Sequence, residues 1–284
     1  MKNLNSYLTI ILLTLLGCGN NKENYLSNSI KGDTIFYQNF EKCSVGEQTV
    51  RQVKQTWMNH TYLWGLKNKI YFYFGIYGQQ PEIVNQDNKF LKIKIPKNTA
   101  GPSPGCQWTC KFNKNFDDLV FEFKVKFDSS FNFVKGGKLP GLAGGLANTG
   151  GLKPNGKDGW SARLMFWENG KLCFWVYHKD QLGKYGDSLF FKNKSAYFTF
   201  EKDKWYLVSQ YIHLNSIGKA DGTIEGYIDG ELMVKKTNLE LRTINSLAID
   251  QLVFNVFLGG DEKEYESEKD EFIYLDDFIV KKHD

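Results

Sequence analysis

The chain has 284 residues, 15% of them aromatic, and 36 Lys and Arg against 32 Asp and Glu give a net charge of +4. That length holds one large all-β domain or two small ones. The near balance of charge does not imply nucleic acid or indicate a general polyanion-binding surface and leaves room for a local basic site, while the aromatic content favours strands and sugar-stacking surfaces.

The first element is a targeting signal. Lys2 precedes an apolar stretch from Leu8 to Leu16 that is too short to span a bilayer. Leu15-Leu16-Gly17-Cys18 has the form of a bacterial lipobox. Residues 1–17 are therefore expected to be a lipoprotein signal peptide, with Cys18 as the lipidated first residue of the mature chain. An ordinary secretory peptide cleaved nearby is the alternative. Residues 18–32 are polar and are expected to form a tether that holds the domain off the membrane. The predicted location is a membrane-anchored lipoprotein, periplasmic or at the cell surface. Export places Cys43, Cys106, Cys110 and Cys173 in an oxidising environment. Cys106 and Cys110 are near enough in sequence to suggest a loop-closing disulfide, and Cys173, inside an apolar run, reads as a buried residue. Without a Cys-x-x-Cys pair or clustered histidines, a zinc site is not expected.

Residues 33–284 are expected to form a single all-β jelly-roll sandwich. Residues 51–64 suit a short helix or a strand equally. Phe121, Phe123, Val125 and Phe127 alternate with Glu122, Lys124 and Lys126, the pattern of a half-buried strand. Glu168-Asn169-Gly170-Lys171 predicts a hairpin turn, because Asn-Gly tolerates positive φ. Trp205–Leu214, Leu252–Leu258 and Phe272–Val280 are further β-prone runs, the last broken by Asp276-Asp277. Turn signals at Asp221-Gly222, Asp229-Gly230 and Gly259-Gly260-Asp261 separate them. Glu262–Asp270 reads as a solvated loop.

The chemistry concentrates between residues 135 and 178. The run Lys135-Gly136-Gly137-Lys138-Leu139-Pro140-Gly141 sets a lysine among glycines, and this predicts a loop from which Lys138 approaches a ligand. Lys135 reads as a surface residue. Ser161 and Arg163 lie two apart, so on a strand they share one face, with Ala162 and Leu164 on the other. Arg163 can grip a carboxylate through two parallel hydrogen bonds, and Ser161 can bond a sugar hydroxyl. Trp175 and Tyr177 share a face in the same way, and His178 is expected to point away from them. Trp108, Trp167, Tyr211 and Tyr227 are possible stacking platforms or core residues. Asn255, alone among apolar neighbours, must find hydrogen-bond partners and is either a structural link or a groove residue.

Phe133–Leu142, Gly159-Trp160-Ser161-Ala162-Arg163-Leu164-Met165 and Val176-Tyr177-His178, with Leu214-Asn215, Asp221-Gly222, Asp229-Gly230 and Phe257–Asp261, resemble polysaccharide lyase family 14. The resemblance runs from about residue 90 to 280. It implies a β-jelly roll that cleaves a uronic-acid polymer, most readily alginate, with glucuronan as another substrate of the family. It implies β-elimination with no cofactor and no metal. On this reading Lys138 and Arg163 neutralise the substrate carboxylate, Tyr177 handles protons, and Ser161 and Trp175 bind substrate. The family pattern at 175–177 is Tyr-x-Tyr, so Trp175 departs from it; Trp175 then stacks on sugar, and Tyr185 or His178 are the available replacements for the missing tyrosine. β-Elimination requires the carboxylate to be neutralised because the C5 proton is poorly acidic beside an anion. The expected partners are an acidic polysaccharide and a membrane reached through Cys18, with no nucleic acid, and the chain is expected to be a monomer. Two other readings are a non-catalytic polyuronate-binding lipoprotein module and a lectin-like sandwich for neutral glycans, the latter disfavoured by Lys138 and Arg163.

Overall fold

The computed structural model describes residues 33–57, 61–62, 81–260 and 262–283. The expected signal peptide, the tether and Cys18 lie outside them. In chain order the first strands are β1 (Thr34–Gln38), β2 (Gly46–Glu47), β3 (Thr61–Tyr62), β4 (Glu82–Asn85), β5 (Lys89–Ile95), β6 (Cys106–Phe116), β7 (Asp118–Phe127), β8 (Gly136–Gly145) and β9 (Gly159–Trp167). There follow β10 (Leu172–Tyr177), β11 (Asp187–Phe190), β12 (Lys192–Asn193), β13 (Ala196–Tyr197), β14 (Tyr206–His213), β15 (Gly222–Ile228), β16 (Glu231–Leu239), β17 (Ile249–Leu258) and β18 (Glu271–Lys281).

The strands pair antiparallel in two large sheets. One has nine strands, in the order β16-β15-β14-β7-β18-β5-β4-β2, with β1 also on β18. The other has seven, in the order β11-β10-β9-β8-β17-β6-β3, and β12 and β13 form a small pair of their own. Alternation decides which side chains lie between the sheets. Phe121, Phe123, Val125 and Phe127 of β7 are fully buried, as the pattern predicts. Ala162, Leu164 and Phe166 of β9, Phe174 and Val176 of β10, and Leu252, Phe254 and Val256 of β17 join them in one core. Burying each of these Phe or Leu side chains contributes about 1.5–3 kcal/mol. The sandwich is the expected jelly roll.

Residues 50–56 resolve to a short helix, α1 (Val50–Thr56). Thr49 accepts from the Gln52 amide at 3.3 Å while the Gln52 side chain accepts from the Thr49 amide at 2.9 Å, a reciprocal cap that starts the helix. The helix ends at Trp57, which packs edge-on against Phe278 at 4.7 Å. The Asn-Gly turn joins β9 to β10 with Asn169 at φ 60°, as the sequence predicts. Asp276-Asp277 breaks β18 by a bulge, with Asp277 at φ 49°. The 262–270 segment is less solvated than its charge suggests: Tyr265 and Ser267 are buried, and Ser267 Oγ donates to Glu271 at 2.6 Å.

Two expectations are corrected. Cys106 and Cys110 lie four apart in β6, opposite Val256 and Leu252 respectively. A strand carries them roughly 13 Å apart, beyond the ~7 Å limit for a disulfide. The glycine-rich run is a central strand, β8, and not a loop. Its glycines serve close packing: a methyl at Gly137 would lie 2.2 Å from the Phe166 ring, and one at Gly141 would lie 2.4 Å from the Ala162 carbonyl.

Candidate active site

The outer face of the seven-stranded sheet, turned away from the core, collects the side chains that the sequence singles out. Strand pairing arranges them in rows. Lys138 of β8 stands opposite Met165 of β9, which stands opposite Cys173 of β10. In the next row Gly141, Arg163 and Trp175 align, and in the third Ala143, Ser161 and Tyr177. A bulge at Pro140 lets Leu139 and Leu142 both face the core while Lys138 and Gly141 both face outward. Rows two residues apart are about 7 Å apart along the strands. Lys138, Ser161, Arg163, Trp175 and Tyr177 are thereby brought together from three adjacent strands.

Gly141 has a specific part in this. Its lack of a side chain leaves the space directly beside Arg163, whose Cα would lie 2.6 Å from an added methyl. Arg163 is 3% exposed. Its Nη1 donates to Asn255 Oδ1 at 2.9 Å, and its Nη2 donates to Thr149 Oγ1. Asn255 is itself held, donating to Gln107 Oε1 at 3.2 Å and to the Phe254 carbonyl at 3.1 Å. Of the two expected roles, the polar residue in the apolar strand takes that of a structural link: fully buried, it orients the arginine. Arg163 Nε is buried without a partner among the described residues, as are both polar atoms of the Asn148 side chain. Buried polar atoms of this kind are ordinarily satisfied by water or ligand.

Lys138 is half-buried. Its Nζ lies 2.7 Å from Met165 Sδ and 4.8 Å over the Trp175 ring. Neither neighbour replaces the hydration of an ammonium ion. Burial, with the Arg163 guanidinium nearby, brings the Lys138 ammonium down from 10.5 to about 7. Burial lowers Arg163 only to about 10, so it keeps its charge at neutral pH. Cys173, beneath them, is fully buried as expected; burial pushes its thiol up to about 12, although the Trp167 indole donates to its sulfur at 3.2 Å.

The connection from β8 to β9 crosses this face and closes part of it. Ser161 Oγ donates to the Asn148 carbonyl at 2.6 Å, and the Gly151 amide donates to Tyr177 Oη at 3.2 Å. With Thr149 on Arg163, one strap contacts three of the site residues. Ser161 is fully buried and Tyr177 is 1% exposed as a result. The Ser161 hydroxyl, expected to meet substrate, holds the strap in this arrangement. Nothing in the local sequence marks Thr149 or Gly151 for these contacts, because they arise from a loop folding over a sheet.

His178 points away from Tyr177, as alternation requires, with Nε2 2.8 Å from Asp187 Oδ2. Tyr185 is 55% exposed but stays beside the site, its ring 3.5 Å from where a methyl on Gly151 would lie. Lys135 is exposed and reaches Glu264 at 3.7 Å. Trp108 is core, stacked on Phe254 at 3.8 Å. Tyr211 and Tyr227 belong to the nine-stranded sheet, and only Trp167 of that group reaches the site, 5.7 Å from Trp175. Among the described residues, no group of three or more His, Cys, Asp or Glu side chains is placed to hold a metal ion.

The family model for Polysaccharide lyase 14 matches residues 84–278. Several solved structures share the architecture. The alginate lyase Aly36B superposes with a TM-score of 0.71 at 22% identity, covering 87% of this chain and 96% of that one. The PL-14 alginate lyase from Aplysia kurodai gives 0.70 at 23%, covering 88% and 100%. The endo-beta-1,4-glucuronan lyase from the fungus Trichoderma reesei gives 0.53 at 11%, covering 88% and 96%. At these identities the likeness is one of fold. No curated protein matches the chain.

Proposed function

Because the chain belongs to polysaccharide lyase family 14, a lyase family, we propose that it cleaves a uronic-acid polymer, alginate foremost, by β-elimination. The observation that carries this reading is the pairing of two cations of different character on one sheet face. Arg163 stays charged, whereas Lys138 titrates near neutrality. The permanent cation suits neutralisation of the substrate carboxylate, and the tuned amine suits proton transfer. This divides the roles more sharply than the sequence does, where both cations are assigned to the carboxylate.

In the proposed reaction the neutral Lys138 amine takes the C5 proton. The C–H electron pair becomes the C4=C5 double bond, the C4–O bond breaks, and the departing oxygen receives a proton from Tyr177 Oη. The Gly151 amide donates to Tyr177 Oη, which leaves the Tyr177 hydroxyl hydrogen to be directed elsewhere. Proton return from Lys138 to Tyr177, directly or through water, resets the pair. The strap must shift for a sugar to reach Tyr177. Trp175, half-buried and beside Lys138, offers its ring to the sugar.

The burial of Tyr177, only 1% exposed, favours a second reading, a binding module in which the tyrosine never meets substrate. One assay separates the two. The purified chain is mixed with alginate and with glucuronan, and ultraviolet absorbance of the unsaturated product is followed. A rise that disappears in Tyr177→Phe supports the lyase; saturable binding with no rise on any polyuronate supports the module and overturns the lyase. The lipobox-like Leu15-Leu16-Gly17-Cys18 supports a further proposal, a lipid anchor at Cys18. Cys18→Ser is expected to move the protein from the membrane to the soluble fraction, and an unchanged membrane fraction overturns the anchor.

A further inference from the structure

Beyond Trp175, which the proposed reaction already sets against the sugar, the same face carries aromatic rings that the chemistry does not use. From Trp175 they continue outward in steps. Trp167 lies 5.7 Å from Trp175, Phe190 lies 6.4 Å from Trp167, and Tyr197 lies 5.1 Å from Phe190 in edge contact. Strand ends bring them together: Trp167 closes β9, Phe190 closes β11 and Tyr197 closes β13. The floor under this ridge is fixed, since Trp167, Trp175 and Phe190 pack on buried Met165 and Cys173. Its outer end is open, with Tyr197 48% exposed.

Cations accompany the rings. Lys138 Nζ sits over Trp175 at 4.8 Å, and Lys171 and Lys192 sit over Tyr197 at 5.7 and 4.8 Å. The acid nearest Lys171 is Glu168 at 3.8 Å, itself exposed, and a pair of that kind is weak in water. Ring faces alone suit a neutral sugar, and lysines alone suit any anion. A line of rings with ammonium groups seated on Trp175 at one end and Tyr197 at the other suits a polymer whose units each present an apolar sugar face and a carboxylate.

We infer that the ridge from Trp175 through Trp167 and Phe190 to Tyr197, with Lys171 and Lys192, is an extended subsite that holds the polyuronate chain beyond the point of cleavage. The identity of the ligand rests on the function proposed above; the test of the ridge does not require turnover. In the full chain carrying Lys138→Ala, calorimetry compares an alginate trisaccharide with an alginate dodecasaccharide. The longer chain is expected to bind at least about tenfold more tightly, the size of one ring stack together with one lysine contact. Adding Tyr197→Ala and Lys192→Ala, both at exposed positions, is expected to remove that gain while the trisaccharide binds as before. Tyr211→Ala, on the nine-stranded sheet, is expected to keep it. A ridge variant that retains the full gain, or a parent that shows no gain, overturns the ridge. Product formation by the unsubstituted chain is scored separately. Product without a length gain refutes the ridge and leaves the lyase standing, whereas a length gain without product supports the ridge and refutes the lyase.

Discussion

Replacing Lys138 by arginine separates charge from proton transfer at the centre of the site. Both residues carry a positive charge, but arginine does not deprotonate in the working range. With the ammonium brought down to about 7, half of the Lys138 population is free amine at that pH. A lysine at its ordinary value near 10.5 would hold roughly one amine in three thousand there. The location over Trp175 and Met165, with Arg163 close by, therefore raises the supply of base by about a thousandfold or more. General-base action contributes about 10²–10⁴-fold to rate, so Lys138→Arg is expected to lower kcat/KM on alginate by that factor while polymer binding persists. The sign of the pH dependence follows from the same value. Below about 7 the amine is protonated and cannot accept the C5 proton, so kcat/KM of the unsubstituted chain falls about tenfold per pH unit on the acid side and levels off above. The assay is the initial rate of unsaturated product across pH, with thermal melting to show that Lys138→Arg is folded. A folded variant that keeps more than about a tenth of the rate would show that only the charge of Lys138 is needed and that the base lies elsewhere. A profile without an acid limb near 7 would refute the reasoning in the same way.

Tyr177→Phe removes the proposed acid and the acceptor for the Gly151 amide; kcat is expected to fall by about a hundredfold or more, with a loss of about 1 kcal/mol of stability in urea unfolding. Unchanged turnover would assign leaving-group protonation to another group. Gly141→Ala places a methyl against backbone, 2.4 Å from the Ala162 carbonyl and 2.6 Å from Arg163 Cα, with no flexible side chain to yield. It is expected to destabilise the chain by about 1–3 kcal/mol, and an unchanged denaturation midpoint contradicts the packing described for β8. Asp276 accepts from Asn88 Nδ2 at 2.9 Å, and burial together with the adjacent Asp277 raises its carboxyl from 3.8 to about 8. A raised acid favours folding while it is protonated, so its contribution is complete below about pH 4 and is lost as pH rises towards about 8. Asp276→Asn is expected to flatten that decline in thermal melts between these limits, and a decline of the same slope in the variant would exclude Asp276 as its source.

Much of this architecture is local, and local features are legible in a sequence. The alternation Phe121–Phe127 names its own buried face because the pleat repeats every two residues. Asn169-Gly170 names its turn because few residues accept that backbone. The pairing of Ser161 with Arg163, and of Trp175 with Tyr177, follows from the same period. What a linear pattern does not carry is which strands become neighbours and what crosses them. The glycines around Lys138 suggest a loop until the sheet shows that they clear room for Phe166, Ala162 and Arg163. The Cys106–Cys110 spacing suggests a disulfide until an unbroken strand separates the pair.

From the sequence come the all-β class, the lyase family and the set of candidate residues, because periodicity and motif depend on neighbours along the chain. Tertiary structure alone decides how that set works. Register across β8, β9 and β10 sets Lys138, Arg163 and Tyr177 in successive rows of one sheet face. Burial over Trp175 and Met165, which no local pattern encodes, separates the two cations in character. The strap through Thr149 and Gly151 assigns Ser161 a structural bond and covers Tyr177, since the hydration and reach of a side chain are set by whatever the fold lays against it.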